Sequence, residues 1–200
     1  RTRVLQLSRQ HGWRRIAVVS PNPEAGKTTT VANLAFALGR QSDLHTIALD
    51  FDLRRPSLAN ALGQTPRHNM ADVIEGRVPF ADHALRHGDN VIFGLNHEAA
   101  RNPSELLQSN RTADLLESLE RAYTPDFILF DMPPLLATDD SFGFLRQVDT
   151  ALIVVEAERT PISQVDVIER QVAEITNVMG VILNKCNYAD GLYGSEYGYY

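Results

Sequence analysis

Residues 20–30, SPNPEAGKTTT, place a Gly-Lys-Thr sequence between an apolar run and a helical pattern. This order is typical of a phosphate-binding loop, in which backbone N–H groups and the positive end of a helix hold an anion. Lys27 would then reach the terminal phosphates of a nucleotide, and the Thr28 hydroxyl would ligate Mg²⁺. The predicted loop contacts to the nucleotide are Glu24, Ala25, Gly26, Lys27, Thr28 and Thr29.

The loop departs from the usual pattern at its start, where Pro21 stands in place of the first glycine. Glu24 is the second unusual position. If its backbone needs a positive φ, a residue other than glycine costs about 1–2 kcal/mol there. Its carboxylate is also unfavourable beside phosphates unless it points away. The alternative is an ordinary strand–loop–helix turn that contains Gly-Lys by chance.

Carboxylates follow two further apolar runs. Asp50 and Asp52 lie in LDFDLRRP, two residues apart, so in an extended segment they share one side. Asp131 lies in FILFDMPP. The alternative for each is that it caps the following helix. Three carboxylates beside a lysine and a threonine hydroxyl instead favour a magnesium site for phosphoryl transfer. We predict Asp50 as the proton acceptor, with Lys27 and Asp52 completing the catalytic set and Thr28, Asp52 and Asp131 as metal ligands.

Short apolar runs alternate with helical patterns along the chain, which predicts a doubly wound α/β domain with a mostly parallel sheet and helices on both faces. The strand candidates are 16–20, 46–50, 91–95, 127–131, 151–156 and 181–184. The helix candidates are 27–40, 56–62, 70–75, 79–86, 103–109, 111–122, 140–147 and 161–177. Asn102 and Thr160 are predicted N-caps, each followed by a proline in the first turn.

The composition is that of an ordinary globular domain. The net charge of −6 argues against nucleic-acid binding, and Cys186, the one cysteine in 200 residues, excludes an internal disulfide. No apolar run approaches the roughly 18 residues of a membrane helix. These features predict one domain in a reducing, cytoplasmic setting.

Together the motifs resemble the bacterial tyrosine kinases, the cytoplasmic ATP-binding domains that work with capsule and exopolysaccharide export machinery. The phosphate loop of that family, S-x-x-P-G-E-G-K-[ST], is matched at Ser20, Pro23, Gly26, Lys27 and Thr28 and not at Glu24 and Ala25. The motif D-x-D-x-R-x-P is matched at Asp50, Asp52, Arg54 and Pro56. The motif D-x-P-P is matched at Asp131, Pro133 and Pro134, with Asp140 later in the same loop. The resemblance implies a P-loop NTPase fold with a deviant Walker A motif.

The resemblance also implies ATP and Mg²⁺ as cofactors, with Asn184 placed to read adenine. It divides the chain into a kinase domain at 1–187 and a flexible tyrosine-rich tail at 188–200. The implied phosphoacceptors are Tyr193, Tyr197, Tyr199 and Tyr200. Family members form rings and phosphorylate in trans, so the implied partners are further copies of the chain and a membrane polysaccharide co-polymerase or activator. That partner, or a fused segment, would place the domain at the inner face of the cell membrane. The residues RTR would end an N-terminal helix.

Two other functions stay open. A partition- or division-type ATPase of the same fold would carry a second lysine five residues before Lys27, where this chain has Asn22. A non-catalytic nucleotide-binding scaffold of an export complex is favoured by Glu24 alone. Outside the motifs, His83 and His87 are interpreted as a solvated helix face, and Cys186 as a buried structural thiol.

Overall fold

A computed structural model describes residues 1–137 and 140–186, without the side chain of Asp140. The tyrosine-rich tail, its four predicted phosphoacceptors and the predicted boundary at residue 187 lie outside the described residues. None of the described helices is both long enough and apolar enough to cross a membrane.

Seven strands form one sheet in the described residues. They are β1 (Arg15–Val19), β2 (Thr46–Asp50), β3 (Leu85–His87), β4 (Val91–Gly94), β5 (Phe127–Asp131), β6 (Thr150–Glu156) and β7 (Asn177–Asn184). Their order across the sheet is β3-β4-β2-β5-β1-β6-β7, and every pair is parallel except β3 with β4. The predicted mostly parallel sheet is confirmed.

Helices cover both faces of the sheet, as the sequence predicted. They are α1 (Thr2–His11), α2 (Lys27–Gly39), α3 (Leu58–Ala61), α4 (Met70–Ile74), α5 (Phe80–His83), α6 (Pro103–Gln108), α7 (Asn110–Tyr123), α8 (Asp140–Phe144) and α9 (Ile162–Ala173), with a 3₁₀ turn at Leu145–Gln147. Apolar residues of α1 to α3 fill one core, and those of α4 to α9 fill the other. Side chains along a strand alternate between these two cores, which explains why the central strands are apolar throughout.

Two predicted helices have the wrong extent. The segment 79–86 ends its helix at His83, and residues 85–87 then pair antiparallel with β4. The sequence GDN between these strands allows the tight turn, with Gly88 at φ 61°. The predicted helix 161–177 ends at Ala173, and β7 begins at Asn177 rather than at residue 181. Pairing with Thr150 of β6 replaces the last helical turn.

Two predictions about where helices start and end were also wrong. Helix α1 covers Thr2–His11, whereas the sequence suggested helix for RTR alone. Thr160 is not an N-cap, because Pro161 holds that position and the Thr160 hydroxyl instead accepts a hydrogen bond from the Glu156 N–H at 3.0 Å. Asn102 is the N-cap of α6, followed by proline as predicted, but its side chain donates to Glu105 rather than capping the backbone.

The interpretations of the histidines and the cysteine were wrong. His83 is partly buried, and its Nε2 accepts a hydrogen bond from the Leu95 N–H at 3.2 Å, while His87 lies on β3. The two therefore do not share a solvated helix face. Cys186 is exposed, not buried, because it lies two residues beyond the end of β7.

Candidate active site

The alternation of side chains along β2 and β5 places the aspartates of both strand ends toward α2. Phe51 and Phe130 point into the opposite core, where their ring centroids lie 5.1 Å apart. Asp50 and Asp131, one residue away from each phenylalanine, therefore face the phosphate loop, and they are register partners on the neighbouring strands. The expected meeting of two carboxylate strand ends is confirmed.

The phosphate loop joins β1 to α2 and turns through left-handed backbone conformations. Glu24 has φ 61° and Gly26 has φ 97°. The left-handed strain considered for Glu24 is therefore present. At Gly26 a Cβ would overlap the Asn184 side-chain amide, so the glycine is required both by conformation and by space.

Lys27 lies at the first position of α2 and is 7% exposed. Its Nζ donates a hydrogen bond to the Ser20 Oγ at 3.0 Å. Burial lowers the pKa of Lys27, and the negative charges of Asp131 and Asp52 oppose that shift. The cation is thus held between the loop and two carboxylates, where its charge is weakly screened.

The three aspartates are buried and have raised pKa values. Burial is the main cause for each, and the charge of Asp131 adds to the effect at Asp50. The pKa of Asp131 is raised to about 7, although the nearby Thr28 hydroxyl and the Lys27 charge oppose the shift. Burial thus favours the neutral form of each of these carboxyl groups.

Several of these carboxylate oxygens make no hydrogen bond within the described part of the chain: Oδ1 of Asp50 and both oxygens of Asp131. Asp50 Oδ2 accepts from the Leu58 N–H at 3.1 Å, and Asp52 Oδ1 accepts from the Arg55 N–H at 2.9 Å. Buried polar atoms without partners are uncommon and usually indicate a missing ion, water or ligand.

A cleft of about 380 Å³ opens above these groups. Its wall includes Glu24, Gly26, Lys27, Thr28, Asp52 and Lys185. Asp50 and Asp131 are fully buried and lie beneath the cleft rather than in its wall. Of the two predicted catalytic aspartates, Asp52 is therefore the one that an entering group would meet directly.

The predicted adenine contact lies beside the loop. Asn184 ends β7, and its Nδ2 donates a hydrogen bond to the carbonyl of Ala25 at 2.9 Å. This contact ties the last strand to the phosphate loop. Recognition of adenine by Asn184 stays a prediction, as do the nucleotide contacts of Ala25 and Thr29.

The donor set suits Mg²⁺ when a nucleotide supplies the remaining ligands. No group of three acidic, histidine or cysteine side chains in the described ranges is arranged to hold a metal by itself. Magnesium in nucleotide sites, however, is usually held by one or two carboxylates together with phosphates and water. The Thr28 hydroxyl and the unpartnered oxygens of Asp131 provide donors of that type. Thr28, Asp52 and Asp131 therefore stay predicted ligands.

Sequence reasoning missed two contributors to the site. Ser57 lies in the cleft wall with its Oγ 2.7 Å from the Thr28 Oγ1. Ser57 lay inside the predicted helix 56–62, and nothing in the sequence pointed to its N-cap position or to the contact with Thr28. Lys185, at the cleft rim, is held by Glu156 at 3.2 Å, a pairing between residues 29 apart that periodicity cannot reveal.

Comparison with known proteins finds several tyrosine-protein kinases among the relatives, and the similar solved structures also include the cell division ATPase MinD of Pyrococcus furiosus. The chain is 29% identical to the tyrosine-protein kinase Etk of Escherichia coli over 84% of its length, and 31% identical to the succinoglycan biosynthesis transport protein ExoP of Rhizobium meliloti over 85%. It spans 23% and 22% of those two proteins, about a quarter of their lengths. The crystal structure of the VpsO kinase domain matches with a TM-score of 0.84 and 28% identity, covering 93% of this chain and 91% of that one.

These similarities confirm the resemblance to bacterial tyrosine kinases and the P-loop NTPase fold. The matched family is described as CbiA, the CobQ/CobB/MinD/ParA nucleotide binding domain, and its match runs over residues 16–193, which includes all three strand-end motifs. The sheet order, the loop before α2 and the cleft at the carboxyl ends of the strands agree with a nucleotide-binding domain. The chain therefore belongs to the CobQ/CobB/MinD/ParA nucleotide-binding domain family.

Proposed function

We propose that this chain is an ATP-dependent protein-tyrosine autokinase that phosphorylates tyrosines of its own C-terminal tail. The observation that carries the proposal is the cleft itself. It unites a buried lysine, a threonine hydroxyl and Asp52, with unpartnered carboxylate oxygens directly beneath. That set matches the needs of phosphoryl transfer, where positioning and charge stabilisation supply most of the catalysis.

The residues have separate roles in this mechanism. Backbone N–H groups from Glu24 to Thr29 hold the phosphates, and Lys27 stabilises the charge of the phosphoryl group in transfer. Thr28, Asp52 and Asp131 would hold Mg²⁺, which would supply positive charge to neutralise the phosphate oxygens. The acceptor tyrosine oxygen bonds to the terminal phosphorus as the bond to the ADP oxygen breaks. The phenolic proton passes to Asp50 or Asp52, and Asp52 has the more direct access from the cleft.

The acceptors are Tyr193, Tyr197, Tyr199 and Tyr200, supplied in trans by a neighbouring copy. Each added phosphate brings about −1.5 to −2 charges, so several on one tail would repel each other and the acidic domain. We propose that this repulsion separates the copies. Relatives such as the succinoglycan biosynthesis transport protein ExoP suggest the setting, which is the polymerisation and export of an exopolysaccharide or capsule. The domain would work at the inner face of the membrane with a co-polymerase partner or a fused segment.

A partition- or division-type ATPase is the second candidate, since the family includes such proteins. The position five residues before Lys27 argues against it. Asn22 stands there, and its Nδ2 donates a hydrogen bond to the Gln164 Oε1 at 2.7 Å. This side chain is neutral and engaged with α9, so it does not supply the additional cation that this class of ATPase uses.

Intact-mass measurement after incubation with Mg-ATP tests the proposal, with peptide mapping to locate each phosphate. The unsubstituted chain should gain whole phosphates on the tail tyrosines, and Lys27→Met should gain none while keeping its fold. Arg77→Met is the control, because it removes an exposed cation that pairs with Asp72 outside the cleft. It should retain phosphorylation.

The other outcomes separate the alternatives. ATP hydrolysis without tyrosine phosphate would favour the ATPase. Nucleotide binding with neither hydrolysis nor phosphate transfer, even with an added cytoplasmic activator segment, would favour the scaffold.

A further inference from the structure

Helix α3 begins at a point that contacts two separate parts of the site. The N–H of Leu58, its first residue, donates to Asp50 Oδ2. The hydroxyl of Ser57, the N-cap, lies 2.7 Å from the hydroxyl of Thr28 on the phosphate loop side. The start of this short helix thus joins the end of β2 to the start of α2.

The Ser57 hydroxyl does not do what a serine at this position usually does. An N-cap serine normally accepts a hydrogen bond from a backbone N–H in the first helical turn. Ser57 makes no side-chain cap of this kind. Its Oγ lies instead at hydrogen-bond distance from Thr28 Oγ1, and the two side chains line the same cleft. The helix therefore forgoes a stabilising cap, and the hydroxyl is directed at a predicted metal ligand.

The chemistry of a metal-bound hydroxyl explains this arrangement. When Thr28 gives a lone pair of its oxygen to Mg²⁺, its proton must be donated to another acceptor. Either hydroxyl of the Ser57–Thr28 pair can be the donor in the structure, so Ser57 Oγ can accept the hydrogen bond from Thr28. Such an outer contact fixes which way the ligand's lone pair points, and ligands supported in this manner bind metal more tightly.

We propose that Ser57 is a positioning residue for the metal–nucleotide complex. Its Oγ accepts a hydrogen bond from the Thr28 hydroxyl. This contact directs a lone pair of the Thr28 oxygen toward the unpartnered oxygens of Asp131 and Asp50. Ser57 itself is not a metal ligand. The inference rests on the Mg²⁺-nucleotide part of the proposed function and not on tyrosine as acceptor.

The test is a magnesium titration of nucleotide binding, followed with a fluorescent ADP analogue on the whole chain. Ser57→Ala should weaken the apparent Mg²⁺ affinity about 10–100-fold. Binding of the analogue in EDTA should stay unchanged, because Ser57 serves the metal and not the phosphates. Ser57→Thr keeps the hydroxyl and should restore the Mg²⁺ affinity.

Ser109→Ala is the matched control. Ser109 is the N-cap of α7, outside the cleft, and its hydroxyl does accept a capping bond from the Thr112 N–H at 3.3 Å. This variant should lose thermal stability without a change in Mg²⁺ affinity. Ser57→Ala removes no capping bond, so it should weaken the Mg²⁺ affinity without a loss of thermal stability. Equal weakening of binding with and without Mg²⁺ in Ser57→Ala would overturn the inference.

A double-mutant cycle with Thr28→Val removes the remaining ambiguity. Once the Thr28 hydroxyl is gone, Ser57→Ala should weaken Mg²⁺ binding no further. Additive effects would show that Ser57 acts independently of Thr28 and would refute the assignment.

The two proposals fail in different ways. Magnesium-dependent nucleotide binding with no phosphotyrosine would remove the kinase function and leave the role of Ser57 intact. Phosphotyrosine formation with normal Mg²⁺ affinity in Ser57→Ala would remove the role of Ser57 alone. Nucleotide binding by the unsubstituted chain that does not respond to Mg²⁺ would overturn both.

Discussion

The two ends of the sheet differ in how their charged groups are paired. At the amino ends of β1 and β6, Asp149 accepts hydrogen bonds from the N–H groups of Arg14 and Arg15 at 2.7 and 2.8 Å. The Arg15 guanidinium then makes two 2.7 Å hydrogen bonds to the Glu120 carboxylate. Asn90, just before β4, likewise donates to the backbone carbonyls of Gly39, Gln41 and Leu44. Every charged group named here has a partner, although the neutral Thr46 Oγ1 and Gln147 Oε1 are buried without a hydrogen bond in the described residues.

At the carboxyl ends the matching is incomplete. Asp50 and Asp131 leave three buried oxygens without hydrogen bonds in the described residues, and Lys27 is buried between carboxylates. A buried polar group without a partner costs about 1–3 kcal/mol. The difference teaches that the charged groups at the amino end are paired within the fold, whereas the carboxyl end holds charged groups whose partners arrive with a ligand. Each prediction below probes that contrast.

The largest effect is expected from removing the buried cation at the carboxyl end. Lys27→Met should reduce tyrosine phosphorylation at least about 100-fold, the scale of losing one positioned charge-stabilising group. The measurement is the initial rate of phosphate incorporation, with circular dichroism to check the fold. A variant that keeps more than a tenth of the rate would remove Lys27 from the mechanism.

Replacing an aspartate by asparagine should change the free energy of unfolding in opposite directions at the two ends of the sheet. The pKa of Asp131 is about 7 in the fold against 3.8 unfolded, so its favourable contribution is full below pH 3.8 and is lost as the pH rises to about 7. Asp131→Asn should therefore raise the free energy of unfolding above pH 7, on the order of 1–3 kcal/mol. Asp149→Asn should lower it by about 1 kcal/mol, because the acceptor of two N–H groups loses its charge.

Urea denaturation at pH values on either side of 7 measures both variants. The gain from Asp131→Asn should shrink as the pH falls toward 3.8. A loss of stability in both variants at high pH would contradict the contrast between the two ends.

Breaking the ion pair at the amino end should affect stability and spare activity. Arg15→Ala removes the two hydrogen bonds to Glu120, and we expect a loss of about 1–2 kcal/mol in the free energy of unfolding. Phosphorylation per folded molecule should not change. Glu120→Ala should lose a similar free energy of unfolding. The double variant should lose less than the sum of the two single losses, because both remove the same ion pair. A loss of phosphorylation in a folded Arg15→Ala chain would contradict this prediction, because it would show that the amino end influences the active site.

The smallest effects are expected at Glu24. Glu24→Gly removes both the left-handed strain at φ 61° and the charge, whereas Glu24→Gln removes the charge alone. Each should tighten nucleotide binding by about 1 kcal/mol or less, and stability should change little because glycine also loosens the unfolded chain. Calorimetric titration with a non-hydrolysable ATP analogue separates strain from charge by comparing the two variants.

Local signals carried much of the fold and the site. Continuous apolar runs predicted the central strands because both sheet faces are covered, and the spacing of Asp50 and Asp52 predicted a shared side. Prediction failed where partners distant in sequence decide the structure. Residues 85–87 form a strand through pairing with β4, and the helix before β7 stops where strand pairing with Thr150 begins. The periodicity of a segment contains no information about such partners.

The sequence by itself determined the order of the parallel strands and of most helices, the phosphate-loop turn and the presence of acidic groups at two strand ends, because these depend on patterns within a few residues. The tertiary structure decided how those groups are distributed. It buried Asp50 and Asp131 beneath the cleft, left Asp52 in the cleft wall and set the Ser57 hydroxyl against Thr28. Burial, which raises the pKa values of all three aspartates, is a property of packing between distant segments, and only the folded chain defines it.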